Sequence, residues 1–241
     1  VIDARVRAVL TDIEGTTGSI AFVHDVLFPY ADAHLAEFVG RGGARPEVRL
    51  LLDEAAAIAE VDPHDDEGIV RALRTWIVED RKITPLKALQ GMIWQSGYER
   101  GELLGHVYDD AVAALRAWHA AGIILAIYSS GSVAAQKLLF GYSVAGNLTP
   151  LFADYFDTTV GAKTEASSYE RIAAALGIVP AEGLFLSDAP GELDAARESG
   201  WATAQVLRPG TKATPTHDRI GSFAEITVVN TIENRRLLEH D

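Results

Sequence analysis

The sequence predicts an α/β fold: a doubly wound parallel sheet of Rossmann type, with an all-helical segment inserted after its first strand. Three observations point there. Short apolar runs stop abruptly at small polar or acidic residues, amphipathic helices alternate with those runs from about Asp110 to Val206, and the stretch 21–105 shows helical spacing alone.

Taken in order, Val6–Thr11 (VRAVLT) reads as a first strand, apolar and β-branched, running straight into the turn DIEGTTGS. HDVLFPYADAHLAEFV, RPEVRLLLDEAAAIAE, EGIVRALRTWIVEDR and TPLKALQGMIWQSGY then carry apolar residues at helical spacing, so 21–105 is expected to form an inserted helical cap. Its hinges are expected near Gly18–Ala21 and Gly101–Val107, leaving 1–20 and 106–241 as the core domain. GRGGARPE has no phosphate-loop spacing and reads as an interhelical turn.

Asp110–Ala121 begins the alternation as a helix, followed by a strand over Ile123–Tyr128 that stops at Ser129, Ser130 and Gly131. Helices follow at Ser132–Phe140, Ser167–Leu176 and Glu192–Ser199, and the strand Leu184–Leu186 runs into Ser187 and Asp188. Glycine just past the last apolar turn, as at Gly122, Gly177 and Gly200, is the expected helix stop. ENRRLLEHD reads as a final helix.

Composition bounds the function. With 241 residues, 48% hydrophobic and 23% charged, the chain can build one large domain with an insertion. Its net charge of −13 repels nucleic acid and anionic membranes, so neither is expected as a partner. The absence of cysteine excludes disulfides, thiolate zinc sites and thiol nucleophiles. No apolar run approaches a membrane span and no signal-peptide pattern opens the chain, so a cytoplasmic location is expected.

The chemistry concentrates at strand ends, where open parallel sheets bind ligands. Asp12 and Glu14 follow the first strand: Asp12 suits a covalent nucleophile, Glu14 an acid that protonates a leaving alcohol and then a base that activates water. An acidic turn, with Asp12 and Thr16 as helix caps, is the alternative. Asp188, from another strand end, adds a third carboxylate, its alternative being a cap for the following helix. At an effective dielectric near 20, two such charges about 4 Å apart repel by about 4 kcal/mol, so the cluster calls for a cation. Oxygen ligands select a hard ion, and magnesium suits a site shared with phosphate.

An anionic phosphate also needs local positive charge, which Lys163 in VGAKTEAS is placed to supply, a surface lysine being the alternative. Ser129 and Ser130 offer hydroxyl and backbone N–H groups to phosphate oxygens, plain helix capping being the alternative. No serine-hydrolase elbow surrounds them. Glu192 could approach the metal through water, but reads chiefly as a solvated helix face. The seven histidines show no ligand spacing and are expected at the surface or as caps.

DIEGT, YSSGS, GAKTE and LSDAPGEL fall in the order of the four motifs of the haloacid dehalogenase-like (HAD-like) superfamily, which the chain thereby resembles. Within it the chain is similar to the enolase-phosphatases, or acireductone synthases, of methionine salvage. The cues are Glu14 in place of the usual aspartate, TDIEGTTGSIAFVHDVLFPYA, LKALQGMIW and IYSSGSVAAQKLLFGYS. Ala189 and Pro190 make the fourth motif atypical.

The resemblance implies one magnesium ion held by the Asp12 and Asp188 carboxylates and the Glu14 main-chain carbonyl, with Ser129, Ser130 and Lys163 on the phosphate. It implies a monomer acting on 2,3-diketo-5-methylthiopentyl-1-phosphate, enolised and then dephosphorylated under a cap that closes over it. Lys87, Gln90 and Trp94 are candidate contacts for the methylthio end, helix packing accounting for Trp94 equally well. Three other readings stay open: a phosphatase for other small sugar or nucleotide phosphates, a metal-free dehalogenase, and a catalytically silent binding protein.

Overall fold

The computed structural model describes residues 2–230. Its elements run β1 (Ile2–Val6), β2 (Ala8–Thr11), α1 (Ile20–Phe22), a π-helical turn (Val23–Leu27), α2 (Phe28–Gly42), α3 (Pro46–Ala59), α4 (Asp66–Val78) and α5 (Thr84–Glu99). They continue with α6 (Asp109–Ala120), β3 (Ile124–Tyr128), α7 (Val133–Gly141), β4 (Asp154–Phe156), α8 (Ala166–Ala175), β5 (Gly183–Ser187), α9 (Pro190–Glu198), β6 (Ala202–Val206), β7 (Asp218–Ile220) and β8 (Ile226–Asn230). Two compact units result, one from the chain's start to Ile20 and from Gly105 onward, the other Ala21–Leu104.

In the first unit six strands form an all-parallel sheet in the order β4-β3-β2-β5-β6-β7. From β2 the chain steps outward through β3 to β4, then returns to the other side of β2 at β5. That reversal is the topological switch point where such sheets open a crevice at their carboxyl ends. Thr11 pairs with both Ile127 and Leu186, so the residues following β2, β3 and β5 emerge at one level. The central strands β2, β3 and β5 are buried on both faces, with Ala8, Leu10, Ala126, Tyr128 and Phe185 packed under Tyr169, Ile172 and Leu193 from α8 and α9.

Three expectations change. Val6 does not open the central strand: it ends β1, which pairs in parallel with β8 in a separate two-stranded sheet. Arg7 divides the two, its N–H donating to Glu182 O while its carbonyl accepts from Ile124 N. GRGGARPE is only partly a turn, because α2 continues to Gly42. His217 is not at the surface: its side chain is fully buried, Nδ1 3.2 Å from Thr203 Oγ1 and Nε2 3.2 Å from Asp194 Oδ1. ENRRLLEHD lies outside the described residues.

The helical unit has its own core, with Leu35, Leu52, Ile69, Leu73, Leu86 and Leu89 fully or almost fully buried. Its boundaries follow from local chemistry: Asp65 caps α4 by accepting from Gly68 N at 2.8 Å, and a proline is the first residue of α3 and the second of α5. Gln90 is buried, while Trp94 stacks on Phe28 and donates Nε1–H to Leu27 O. Among the described residues no helix is long and apolar enough to cross a membrane.

Candidate active site

Asp12 leaves β2 with its amide bonded to Leu186 O of β5, and its side chain is 7% exposed. Asp12 Oδ1 accepts from Ile13 N at 2.7 Å and lies 2.7 Å from Lys163 Nζ. The loop then folds back on itself, with Gly18 N donating to Ile13 O and Thr17 Oγ1 donating to Asp12 O. Neither Asp12 nor Thr16 caps a helix. Glu14, half-buried, follows two residues later on the same loop.

Asp188 is brought against that loop. Its N–H donates to Thr16 Oγ1 at 3.0 Å, and Gly15 packs so closely that a Cβ there would lie 2.5 Å from Asp188 Oδ2. Gly15 also holds a left-handed φ of +71°, which a side chain would strain. Asp188 does not cap α9, whose N-cap is Ala189 without a side-chain bond; Ser187 Oγ accepts the Ala189 N–H instead. Its main-chain oxygen is held by Nε2 of buried Gln205. Burial and then the charge of Asp12 push the Asp188 carboxyl up to about 6, with Lys163 pulling the other way.

Lys163, from the loop after β4, has a side chain 9% exposed and bridges two acids, with Nζ 2.7 Å from Asp12 Oδ1 and 2.8 Å from Glu192 Oε2. Burial works against its charge, but Asp12 and Glu192 outweigh it and raise its pKa. The solvated face expected for Glu192 is therefore corrected: its side chain is 16% exposed and also accepts from Ser187 Oγ at 2.9 Å. Burial and Asp12 push it up to about 7. A helix residue two places after a proline gave no sequence signal of this pairing, because solvated and buried acids share the spacing.

Ser129 is buried at the tip of β3, its Oγ accepting from Gly131 N, and Ser130 beside it is exposed. Ser132, not Ser129, caps α7, accepting from Ala135 N. A second cation escaped the sequence reading: Arg208, after β6, donates Nε–H to Thr16 O at 3.0 Å and pairs with Asp110. A lone arginine in a loop carries no pattern.

The donor set fits a hard cation. Asp12 and Asp188 add two carboxylates to Glu192 around the single Lys163, and among the described residues no other side chain pairs with the Asp188 carboxylate. Burying that excess negative charge without a counter-ion is costly. No three His, Asp or Glu side chains among the described residues form a ready-made metal group. Two carboxylates with main-chain oxygen and water completing the shell match the way magnesium is bound.

Residues 6–200 match the family model of the haloacid dehalogenase-like hydrolases. The chain is 54% identical over 222 residues to enolase-phosphatase E1 of Methylococcus capsulatus, covering 92% of this chain and 97% of that one. It is 54% identical over 223 residues to the protein of that name from Pseudomonas aeruginosa, covering 92% and 99%. Among solved structures it is similar to the UTR4 protein of Saccharomyces cerevisiae, with a TM-score of 0.79 at 35% identity, covering 92% of this chain and all of that one.

Proposed function

The chain belongs to the haloacid dehalogenase-like hydrolases and, within them, to the enolase-phosphatases, and from that premise we propose how its residues carry the reaction. The enzyme is a phosphatase of methionine salvage, converting 2,3-diketo-5-methylthiopentyl-1-phosphate to the acireductone 1,2-dihydroxy-3-keto-5-methylthiopentene and phosphate. The diketone is enolised first. The Asp12 carboxylate then attacks phosphorus, forming an aspartyl phosphate as the bond from phosphorus to the substrate oxygen breaks. Glu14 gives the departing oxygen its proton, then takes one from the water that cleaves the aspartyl phosphate.

Lys163 offsets charge on the phosphate oxygens, and Ser129 and Ser130 hold them by hydroxyl and backbone N–H. One magnesium ion, when bound, neutralises the acids and polarises a phosphate oxygen; the Asp12 and Asp188 carboxylates and the Glu14 main-chain carbonyl would hold it. The reading extends to a monomer working in the cytoplasm, and to residues 21–105 acting as a cap.

The observation that carries this reading is the buried Asp12, 2.7 Å from Lys163, on a loop packed against Asp188. Supplying the diketone phosphate with magnesium, and following enol absorbance and free phosphate together, tests it. Enol appearing before phosphate is expected; phosphate released equally fast from common sugar phosphates would defeat the substrate assignment. A chelator that left turnover intact would remove magnesium from the reaction.

A further inference from the structure

Outside the four motif segments, one buried cation reaches the strand-end loops. The Arg208 side chain is 8% exposed, and its guanidinium carbon lies 4.1 Å from the centre of the Tyr108 ring and 5.4 Å from that of Phe223. Nε–H donates to Thr16 O at 3.0 Å, and Nη1 is 3.0 Å from Asp110 Oδ1. Asp110 is itself fixed, its Oδ2 accepting from Ser222 Oγ and Phe223 N. Beside it, Tyr108 N donates to Thr17 O at 2.9 Å.

The carbonyls of Thr16 and Thr17 are thus gripped from one side, while their hydroxyls hold the chemistry on the other. Thr16 Oγ1 accepts from Asp188 N, and Thr17 Oγ1 donates to Asp12 O. A lysine could satisfy Asp110, but its single nitrogen could not also make a directed bond to Thr16 O in the fixed geometry of a planar fork.

We propose that Arg208, clamped by Asp110 and stacked on Tyr108, is a positioning residue that sets the spacing between Asp12 and Asp188 through the main chain of Thr16 and Thr17. The proposal rests on the roles given to Asp12 and Asp188 above.

Arg208→Lys and Arg208→Met test it, read by kcat and KM, by calorimetric titration with magnesium alone, and by exchange of the Tyr108 amide. The expected result is a loss in kcat of about 10²-fold, the scale of a displacement near 1 Å at a reacting group. KM for the phosphate ester stays near wild type, magnesium binds more weakly and the Tyr108 amide exchanges faster. If Arg208→Met does not fold, Arg208→Lys decides. A folded Arg208→Lys enzyme with wild-type kcat overturns the proposal, as does a kcat loss with unchanged exchange and magnesium affinity. An Asp12→Asn control that turns over normally would instead defeat the nucleophile reading, while amide exchange would still report whether Arg208 holds the loop.

Discussion

Among the described buried polar residues, Gln90 belongs to the helical unit, whereas Thr11, Asp12, Thr16, Thr17, Ser129, Ser187 and Gln205 all belong to the sheet unit and gather at its strand ends. The helical unit buries leucine, isoleucine and alanine, each cheap to bury and replaceable by side chains of similar volume. The sheet unit instead buries groups that require partners, and it provides them: Lys163 for Asp12 and Glu192, Thr16 for the Asp188 amide, Gln205 for the Asp188 carbonyl. One unit is built for stability, the other spends some of it on chemistry. Substitutions should therefore separate the two cleanly, activity falling in one and only stability in the other.

The largest effect is expected from Asp12→Asn, whose amide cannot form an acyl phosphate. Turnover should fall by on the order of 10⁶-fold, as when other covalent nucleophiles are removed. Steady-state phosphate release checks it, and an undiminished rate would exclude covalent catalysis by Asp12. Glu14→Gln comes next, with phosphate release slowed by about 10²-fold or more through lost proton transfer. A rate within the error of wild type would remove Glu14 from the reaction.

Gly15→Ala probes the site's geometry rather than its chemical groups. Its Cβ would meet Asp188 Oδ2 at 2.5 Å at a φ of +71°. We expect a kcat loss of about 10²-fold from displacement. The left-handed backbone adds about 1–2 kcal/mol of instability in urea denaturation. Full activity would mean that the Asp188 position is not critical.

Leu73→Ala, at a fully buried position of the helical core, sharpens the contrast from the other side. It should cost about 2–5 kcal/mol in the urea midpoint analysis. The rate per folded molecule should stay unchanged, and a fall in kcat at full folding would blur the division between the units.

The central architecture was legible because strand ends and helix stops are local. The strands ending at Thr11, Tyr128 and Ser187 announced themselves by apolar runs stopping at polar residues, and Gly122, Gly177 and Gly200 followed the helices as expected. Asp12, Lys163 and Asp188, which the structure brings together, could be singled out as candidates for the same reason, since each lies in a loop after a strand. The β1–β8 pair was not, because its partners are over 200 residues apart and Val6 and Ala8 form one apolar run that only Arg7 interrupts.

The Glu192–Lys163 pair and Arg208 were missed for a different reason. Each matters through a partner distant in sequence, Lys163 in one case and Thr16 and Asp110 in the other, and neither spacing nor periodicity encodes such pairings. Buried His217 belongs with them, its neighbours being Thr203 and Asp194.

Chemical trapping reaches the covalent step itself: enzyme quenched during turnover, treated with borohydride and digested should carry the reduced acyl-phosphate product at residue 12. A modified Asp12 peptide that disappears in Asp12→Asn is the predicted result. Trapping at any other residue, or an unmodified chain during full turnover, would contradict it.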